Sequence, residues 1–166
     1  MPERSDATTL VTVTTSVAVI DQLTKFLLTA TIDSQGMASR VEVVDGWLAM
    51  EYTENRGAAF GLFSGLAPVL AGVSIAILAA LLWHFLRQAR PPRWQTVATG
   101  AISGGALGNL IDRVRLGYVI DFVSVGAWPN FNLADSTITI GVLVLVWGMT
   151  RQQSRLGNAR PIDQVT

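Results

Sequence analysis

Three aspartates lie within a short, otherwise apolar part of this chain, and their side chains are the ones best suited to do chemistry. Asp112, Asp121 and Asp135 are separated mainly by runs of apolar and small residues. A carboxylate in or beside hydrocarbon is costly, so several in one region call for a specific explanation. Two carboxylates held within a few ångström tend to share one proton, because both cannot ionise comfortably. Such a pair can activate one water molecule by general acid–base catalysis.

Of the three, Asp121 and Asp135 form the better chemical pair. Both have apolar neighbours, and neither has a basic residue beside it in sequence that would neutralise its charge. Asp135 is expected to start a helix, whose N-terminus favours negative charge, so we expect it to ionise more readily than Asp121. The predicted chemistry is hydrolysis of an amide without a covalent intermediate.

The composition excludes several other kinds of catalysis. The 166 residues include no Cys, which excludes disulfides, thiolate catalysis and Cys-ligated metals. The chain has one histidine, His84, so a multi-His metal site is excluded. His84 lies beside Trp83 near the end of an apolar run, where an interfacial role is the simplest interpretation. We therefore expect no metal and no cofactor. The net charge is zero, so we expect no nucleic-acid partner.

Hydrophobicity sets the fold class. Half of the residues are hydrophobic, 14% are charged, and the mean hydropathy is positive. A helix needs about 20 apolar residues to cross the ~30 Å hydrocarbon core. Four stretches are predicted to do so, at residues 9–30, 66–86, 94–114 and 134–150.

A cleaved signal peptide is the alternative interpretation of the first stretch. Its start (PERSD) is not basic, however, and Asp21 and Lys25 interrupt the apolar run. We therefore expect residues 9–30 to be a retained span.

Arginine clusters predict the orientation. They follow the second and the fourth spans, at Arg87, Arg90, Arg93, Arg151, Arg155 and Arg160. The positive-inside rule places both clusters and both termini in the cytoplasm, with the tail 151–166. Loops 31–64 and 115–133 then lie on the outer face. Asp112 lies about 27 Å along its span from the cytoplasm, so all three aspartates should converge near the outer surface.

Two further patterns predict local structure. Residues 41–55 show partial alternation around Asp45-Gly46, which predicts a β-hairpin, and the following ENRGAAFGLFSG predicts a short interfacial helix or lid. Glycines at 100, 104 and 108 line one helix face and predict close helix packing. Asp112 continues that stripe and should therefore face protein.

The remaining polar residues are interpreted mainly as support. Asp21 and Lys25 are four residues apart, which suits a structural ion pair, although direct participation in chemistry remains an alternative. Asn132 could cap the fourth helix. Asn109 and Arg113 are expected to hold the aspartates in place, and Asn55, taken alone, is more typical of a turn.

The motifs DQLTK, ENRGAAFGLF, GNLIDRVRLGYVIDF and FNLADSTITIGV, at this spacing, resemble those of the bacterial lipoprotein signal peptidases (signal peptidase II), aspartyl proteases of the inner membrane. The resemblance covers most of the chain. It implies that Asp121 and Asp135 are the catalytic residues. It also implies supporting roles for Asp21, Lys25, Asn55, Asn109, Asp112, Arg113 and Asn132.

The resemblance implies the substrate and the architecture as well. The substrate would be a prolipoprotein whose Cys carries diacylglycerol, cleaved just before that Cys, and the antibiotic globomycin would block the enzyme. The expected fold is an all-α integral membrane protein: one domain, residues 1–166, with four transmembrane helices, a small outer β-hairpin or cradle and a lid. Phe60, Leu62 and Phe63 of the lid would cover lipid and exclude water. We expect a monomer surrounded by membrane lipid.

Two alternatives from other classes remain open. Clustered acids and amides also suit Mg²⁺, as in a metal-dependent lipid-phosphate enzyme, but only Arg113 and Arg115 are near enough to bind phosphate. A proton-coupled transporter would use intramembrane aspartates as relays. It would usually place them at mid-membrane and show an internal repeat, and the sequence has neither feature.

Overall fold

A computed structural model describes residues 2–34, 40–57 and 67–158. In chain order the elements are α1 (Arg4–Ser34), β1 (Arg40–Val44), β2 (Leu48–Asn55), α2 (Ala67–Leu86), α3 (Arg93–Leu116), β3 (Val119–Val125) and α4 (Leu133–Asn158). The predicted lid residues Phe60, Leu62 and Phe63 lie outside the described residues, as does the end of the tail.

Helix α3 is the centre of the helix bundle and packs against α1, α2 and α4. Its contact with α1 depends on the predicted glycine stripe. A Cβ atom added at Gly104 would lie 2.6 Å from Cβ of Val17 and 2.7 Å from the carbonyl oxygen of Thr14. One added at Gly108 would lie 2.5 Å from Oδ2 of Asp21. The predicted close packing is confirmed, and α1 and α3 run in the same direction.

Helix α4 runs antiparallel to α3. Gly105 lies against Ala134 at the beginning of α4, and Gly148 lies against the Trp94 ring near its end. The bundle therefore has two distinct ends. At one end lie the last turns of α1 and α3 and the first turn of α4. At the other end lie the first turns of α1 and α3 and the last turns of α2 and α4.

Three helices of the described residues are long and apolar enough to cross a membrane: Arg4–Thr31, Pro68–Leu86 and Leu133–Ser154. The predicted third span, in α3, does not reach that hydropathy. Its buried residues include the polar side chains of Gln95, Thr96, Thr99, Asn109 and Asp112. Because α3 is enclosed by other helices, these side chains face protein, and hydropathy underestimates how deeply the helix is buried.

The first and the last helices are longer than hydropathy predicted. Helix α1 extends beyond both ends of the predicted span 9–30, and α4 continues to Asn158 beyond the predicted end at residue 150. Hydropathy marks where apolar residues stop, whereas helical hydrogen bonding continues into the polar residues on either side.

The three strands form an antiparallel sheet in the order β1-β2-β3. The predicted hairpin is confirmed, with Gly46 at φ +68° in its turn. No strand was predicted between residues 115 and 133, but β3 forms there, pairs with β2 and places Asp121 opposite Thr53. Most residues of β3 are buried, so its sequence lacks the polar alternation that marks a strand with one solvent-facing side.

Replacing Gly104 by Ala should lower the free energy of unfolding by about 1–3 kcal/mol, because the new methyl group overlaps α1. Unfolding by SDS titration of detergent-solubilised protein would measure this. The matched control is Gly72→Ala in α2, where the added Cβ would meet nothing within 4 Å. Equal stability of the two variants would show that the α1–α3 contact is not tightly packed.

Candidate active site

Asn132 joins the two aspartates of the predicted pair. It is fully buried and immediately precedes α4, where its Oδ1 accepts the backbone N–H of Asp135 at 2.9 Å. In return, Asp135 Oδ2 accepts the backbone N–H of Asn132 at 3.4 Å, a reciprocal cap that fixes the helix start. The side-chain Nδ2 of Asn132 donates to Asp121 Oδ1 at 2.7 Å. One amide side chain therefore joins the Asp121 carboxyl group on β3 to the Asp135 backbone on α4, and the predicted capping role of Asn132 is confirmed.

Two more amides complete the surroundings of the pair. Asn55, at the end of β2, donates from Nδ2 to Asp121 Oδ2 at 2.8 Å. Asn109, on α3, donates from Nδ2 to Asp135 Oδ1 at 2.8 Å. Each carboxyl oxygen of the pair thus accepts a hydrogen bond from a protein N–H group. This fixes the orientation of both carboxyl planes.

The environment of Asp121 favours its neutral form. Burial raises the pKa of the Asp121 carboxyl to about 7. The hydrogen bond from Asn55 opposes that rise, and the neighbouring Asp135 carboxyl adds to it. A carboxyl that is still partly protonated near neutral pH can donate a hydrogen bond or a proton.

A buried ion cluster lies next to the pair. Lys25 Nζ is 2.8 Å from Asp21 Oδ2, 2.7 Å from Asp112 Oδ2 and 3.2 Å from Asn109 Oδ1. The three acceptors match the three donors of an ammonium group. Lys25 and Asp21 are 2% and 0% exposed, so the pairing compensates charges that would otherwise be very unfavourable here.

The ion cluster also fixes the backbone on both sides of the pair. Asp21 Oδ1 accepts the N–H of Ala134 at 3.0 Å, and Asp112 Oδ2 accepts the N–H of Ile120 at 3.2 Å. Each N–H group belongs to the residue immediately before one of the paired aspartates. The cluster therefore positions β3 and the start of α4 relative to each other.

Sequence reasoning missed Gln22, which donates to Asp112 Oδ1 at 2.8 Å and to the carbonyl oxygen of Gly108 at 3.2 Å. An amide in an otherwise apolar span, directly after Asp21, was the available signal. Arg113 donates from Nη1 to the carbonyl oxygen of Asn109 at 3.3 Å.

The structure brings the predicted polar residues into one connected network: Asp21, Lys25, Asn55, Asn109, Asp112, Arg113, Asp121, Asn132 and Asp135. Asp112 belongs to the ion cluster rather than to the pair, since it contacts Lys25, Gln22 and the N–H of Ile120. Among residues 2–34, 40–57 and 67–158, no group of three or more His, Asp or Glu side chains is placed to hold a metal ion.

The fold and the site define a membrane protein with two aspartates bridged by one amide at one end of a helix bundle. Comparison with known proteins identifies its family. The family model described as signal peptidase (SPase) II, Peptidase_A8, matches residues 13–151. The chain therefore belongs to the signal peptidase II family, and it is a multi-pass membrane peptidase.

Individual relatives agree with this assignment. The lipoprotein signal peptidase of Halothermothrix orenii is 35% identical over 137 residues, covering 82% of this chain and 92% of the relative. The lipoprotein signal peptidase of Geobacter sulfurreducens is 41% identical over 144 residues, which cover 82% of this chain and 88% of that relative. A solved bacterial membrane enzyme, determined by the in meso method at 2.3 Å, has a TM-score of 0.81 and 31% identity over 95% of this chain and 94% of that chain.

Replacing Lys25 by Met should destabilise the protein by about 3–5 kcal/mol, because it leaves two buried carboxyl groups without their cation. Unfolding by SDS titration would measure the loss. The double variant Lys25→Met with Asp112→Asn removes one of those uncompensated charges and should recover part of the stability. Wild-type stability of the single variant would contradict a paired ion cluster.

Proposed function

We propose that Asp121 and Asp135 are the catalytic dyad with which this signal peptidase removes signal peptides from prolipoproteins. The substrate Cys carries diacylglycerol, and the cleaved bond is the one just before that Cys. The observation that carries the proposal is the bridge by Asn132, whose Nδ2 holds Asp121 while its Oδ1 caps the N–H of Asp135. The names of the relatives, lipoprotein signal peptidases, support the substrate class.

The surroundings of the two aspartates favour different protonation states and therefore different acid–base roles. Both carboxyl groups accept two hydrogen bonds, but Asp135 lies in the first turn of α4, where the helix N-terminus favours a negative charge, whereas Asp121 is fully buried on β3. Burial favours the protonated form of Asp121. Asp135 therefore acts as the general base, and Asp121 acts as the general acid.

Hydrolysis then proceeds in two steps. The oxygen of a water molecule bonds to the scissile carbonyl carbon while Asp135 takes the water proton and Asp121 gives its proton to the carbonyl oxygen. In the second step the C–N bond breaks. The leaving nitrogen takes the proton from Asp135, and a hydroxyl proton of the tetrahedral intermediate returns to Asp121. The products are a carboxylic acid and an amine, and both aspartates regain their starting states.

The topology we propose has four spans and places the site at the outer face of the inner membrane. Helix α3 has 24 residues and is about 36 Å long, enough to span as the enclosed helix of the bundle. The bundle end opposite the aspartates contains four arginines: Arg87, Arg90, Arg93 and Arg151. By the positive-inside rule, they support cytoplasmic placement of that end and of both termini. The acyl chains of the substrate then hold its scissile bond at the depth of the dyad.

The proposed enzyme is a single-domain monomer. The amides and the ion cluster that surround the dyad all come from one chain, on α1, β2, α3, β3 and α4. A second copy is therefore not needed to complete this network.

Asp121→Asn and Asp135→Asn should each abolish cleavage of a lipidated prolipoprotein peptide in detergent, with a loss of at least about 10³-fold, because each removes one partner in proton transfer. Folding should change little, since an amide replaces a carboxyl of the same shape. Asp112→Asn serves as the control and should retain more turnover than either, at lower stability.

Retention of more than a few per cent of the rate by either dyad variant would refute the assignment. The same assay should include EDTA, which we expect to leave the wild-type rate unchanged. Loss of activity on chelation would instead support the metal-dependent alternative.

The rate should decline as pH rises through about 7, where Asp121 loses the proton that it must donate. The hydrogen bond from Asn55 favours the Asp121 carboxylate, so Asn55→Ala should raise the pKa of Asp121 and move this decline to higher pH. A pH–rate profile of both proteins would measure the shift. A decline that stays in place, or moves to lower pH, would show that the titrating group is not Asp121 or that Asn55 does not act on it.

A further inference from the structure

The bundle end opposite the aspartates carries a groove on α4 that the peptidase reaction does not use. Its volume is about 390 Å³, and it is lined by Trp147, Thr150, Arg151 and Ser154. We infer that this groove binds the headgroup of an anionic phospholipid, with Arg151 on the phosphate.

The groove presents Arg151 stacked on an aromatic ring. The Arg151 guanidinium carbon lies 4.5 Å from the centre of the Trp147 ring, one helical turn earlier. This cation–π stacking restricts the side chain while leaving its N–H groups available, and a planar guanidinium suits two oxygens of one phosphate. Trp147 is 59% exposed, so the ring can also contact the upper part of an acyl chain.

The hydroxyl groups of the groove are oriented as acceptors. Thr150 donates its hydroxyl hydrogen to the carbonyl oxygen of Trp147 at 2.8 Å, and Ser154 donates to that of Thr150 at 3.0 Å. Both oxygens keep free lone pairs. They can accept hydrogen bonds from a headgroup that carries hydroxyl groups, which phosphatidylglycerol has and phosphatidylcholine lacks.

The charge at this end of the bundle favours an anion. The described residues there include Arg4, Arg87, Arg90, Arg93 and Arg151, against only Glu3 and Asp6. Glu3 is already paired with Arg90 at 3.0 Å. Helix α4 carries no acidic residue after Asp135, and the described residues that line the groove include no carboxylate to repel a phosphate.

The chain contains a matched control for the groove. Arg87 stacks on Trp83 at 4.3 Å with the same four-residue spacing, at the end of α2. The Trp83–Arg87 pair has no hydroxyl-bearing residues at the positions that correspond to Thr150 and Ser154, where Leu86 and Arg90 stand. Loss of binding specific to Arg151 would therefore reflect the groove and not cation–π stacking in general.

The test is native mass spectrometry of the delipidated full-length protein titrated with dioleoyl-phosphatidylglycerol. Wild type should bind one lipid preferentially, and Arg151→Gln should weaken that first binding by about tenfold, the effect of one charge-assisted hydrogen bond. Arg87→Gln should leave it within about twofold, and dioleoyl-phosphatidylcholine should bind less tightly than phosphatidylglycerol.

The same titration is repeated in the presence of excess inorganic phosphate, which should not displace the first lipid. Three outcomes would overturn the inference: equal losses in the two Gln variants, equal affinity for the two lipids, or displacement of the lipid by inorganic phosphate. Photolabelling of wild type with a phosphatidylglycerol analogue bearing a headgroup diazirine provides a test that does not depend on a variant folding. Labels should fall on residues 147–154, and labels confined to other segments would also overturn it.

Discussion

The structure depends on one buried positive charge. Lys25 neutralises Asp21 and Asp112, and those two carboxyl groups accept the backbone N–H groups that lie just before Asp135 and Asp121. Without the ammonium group, two adjacent carboxylates would repel each other in a region with little water. Because each of them holds a different segment, their mutual repulsion would separate β3 from the start of α4. A residue that touches neither paired aspartate thus determines whether the two can meet.

Close backbone contact makes this polar interior possible. Apolar burial gives little driving force between helices surrounded by lipid, so packing and polar contacts must hold them together. The glycines of α3 let α1 and α4 approach until side chains such as Asp21 reach across to the neighbouring helix. Helix α3 can therefore carry amides and a carboxyl group without exposing them to hydrocarbon. Its low hydropathy is a consequence of its central position in the bundle.

The sequence predicted the elements that follow simple patterns and missed those that do not. Apolar length indicated four spans, of which three correspond to described helices apolar enough to cross a membrane, and the Asp45-Gly46 turn indicated the hairpin. Strand β3 was missed because a strand buried on both faces has no alternation. The bonds from Ile120 and Ala134 could not be predicted, since every backbone N–H looks alike in sequence. The paired aspartates were recognisable because acids are rare in apolar segments, and their catalytic role remains a prediction.

The order of the segments along the chain has a consequence for biosynthesis. Asn132 and Asp135 belong to the start of α4, whereas Lys25, Asn55 and Asn109 are synthesised earlier. A ribosome-bound chain that ends with α3 contains the ion cluster of Asp21, Lys25 and Asp112 but neither of the paired aspartates nor the Asn132 cap. The two aspartates proposed as the catalytic dyad are therefore brought together only after the last helix has been made and has packed against α3.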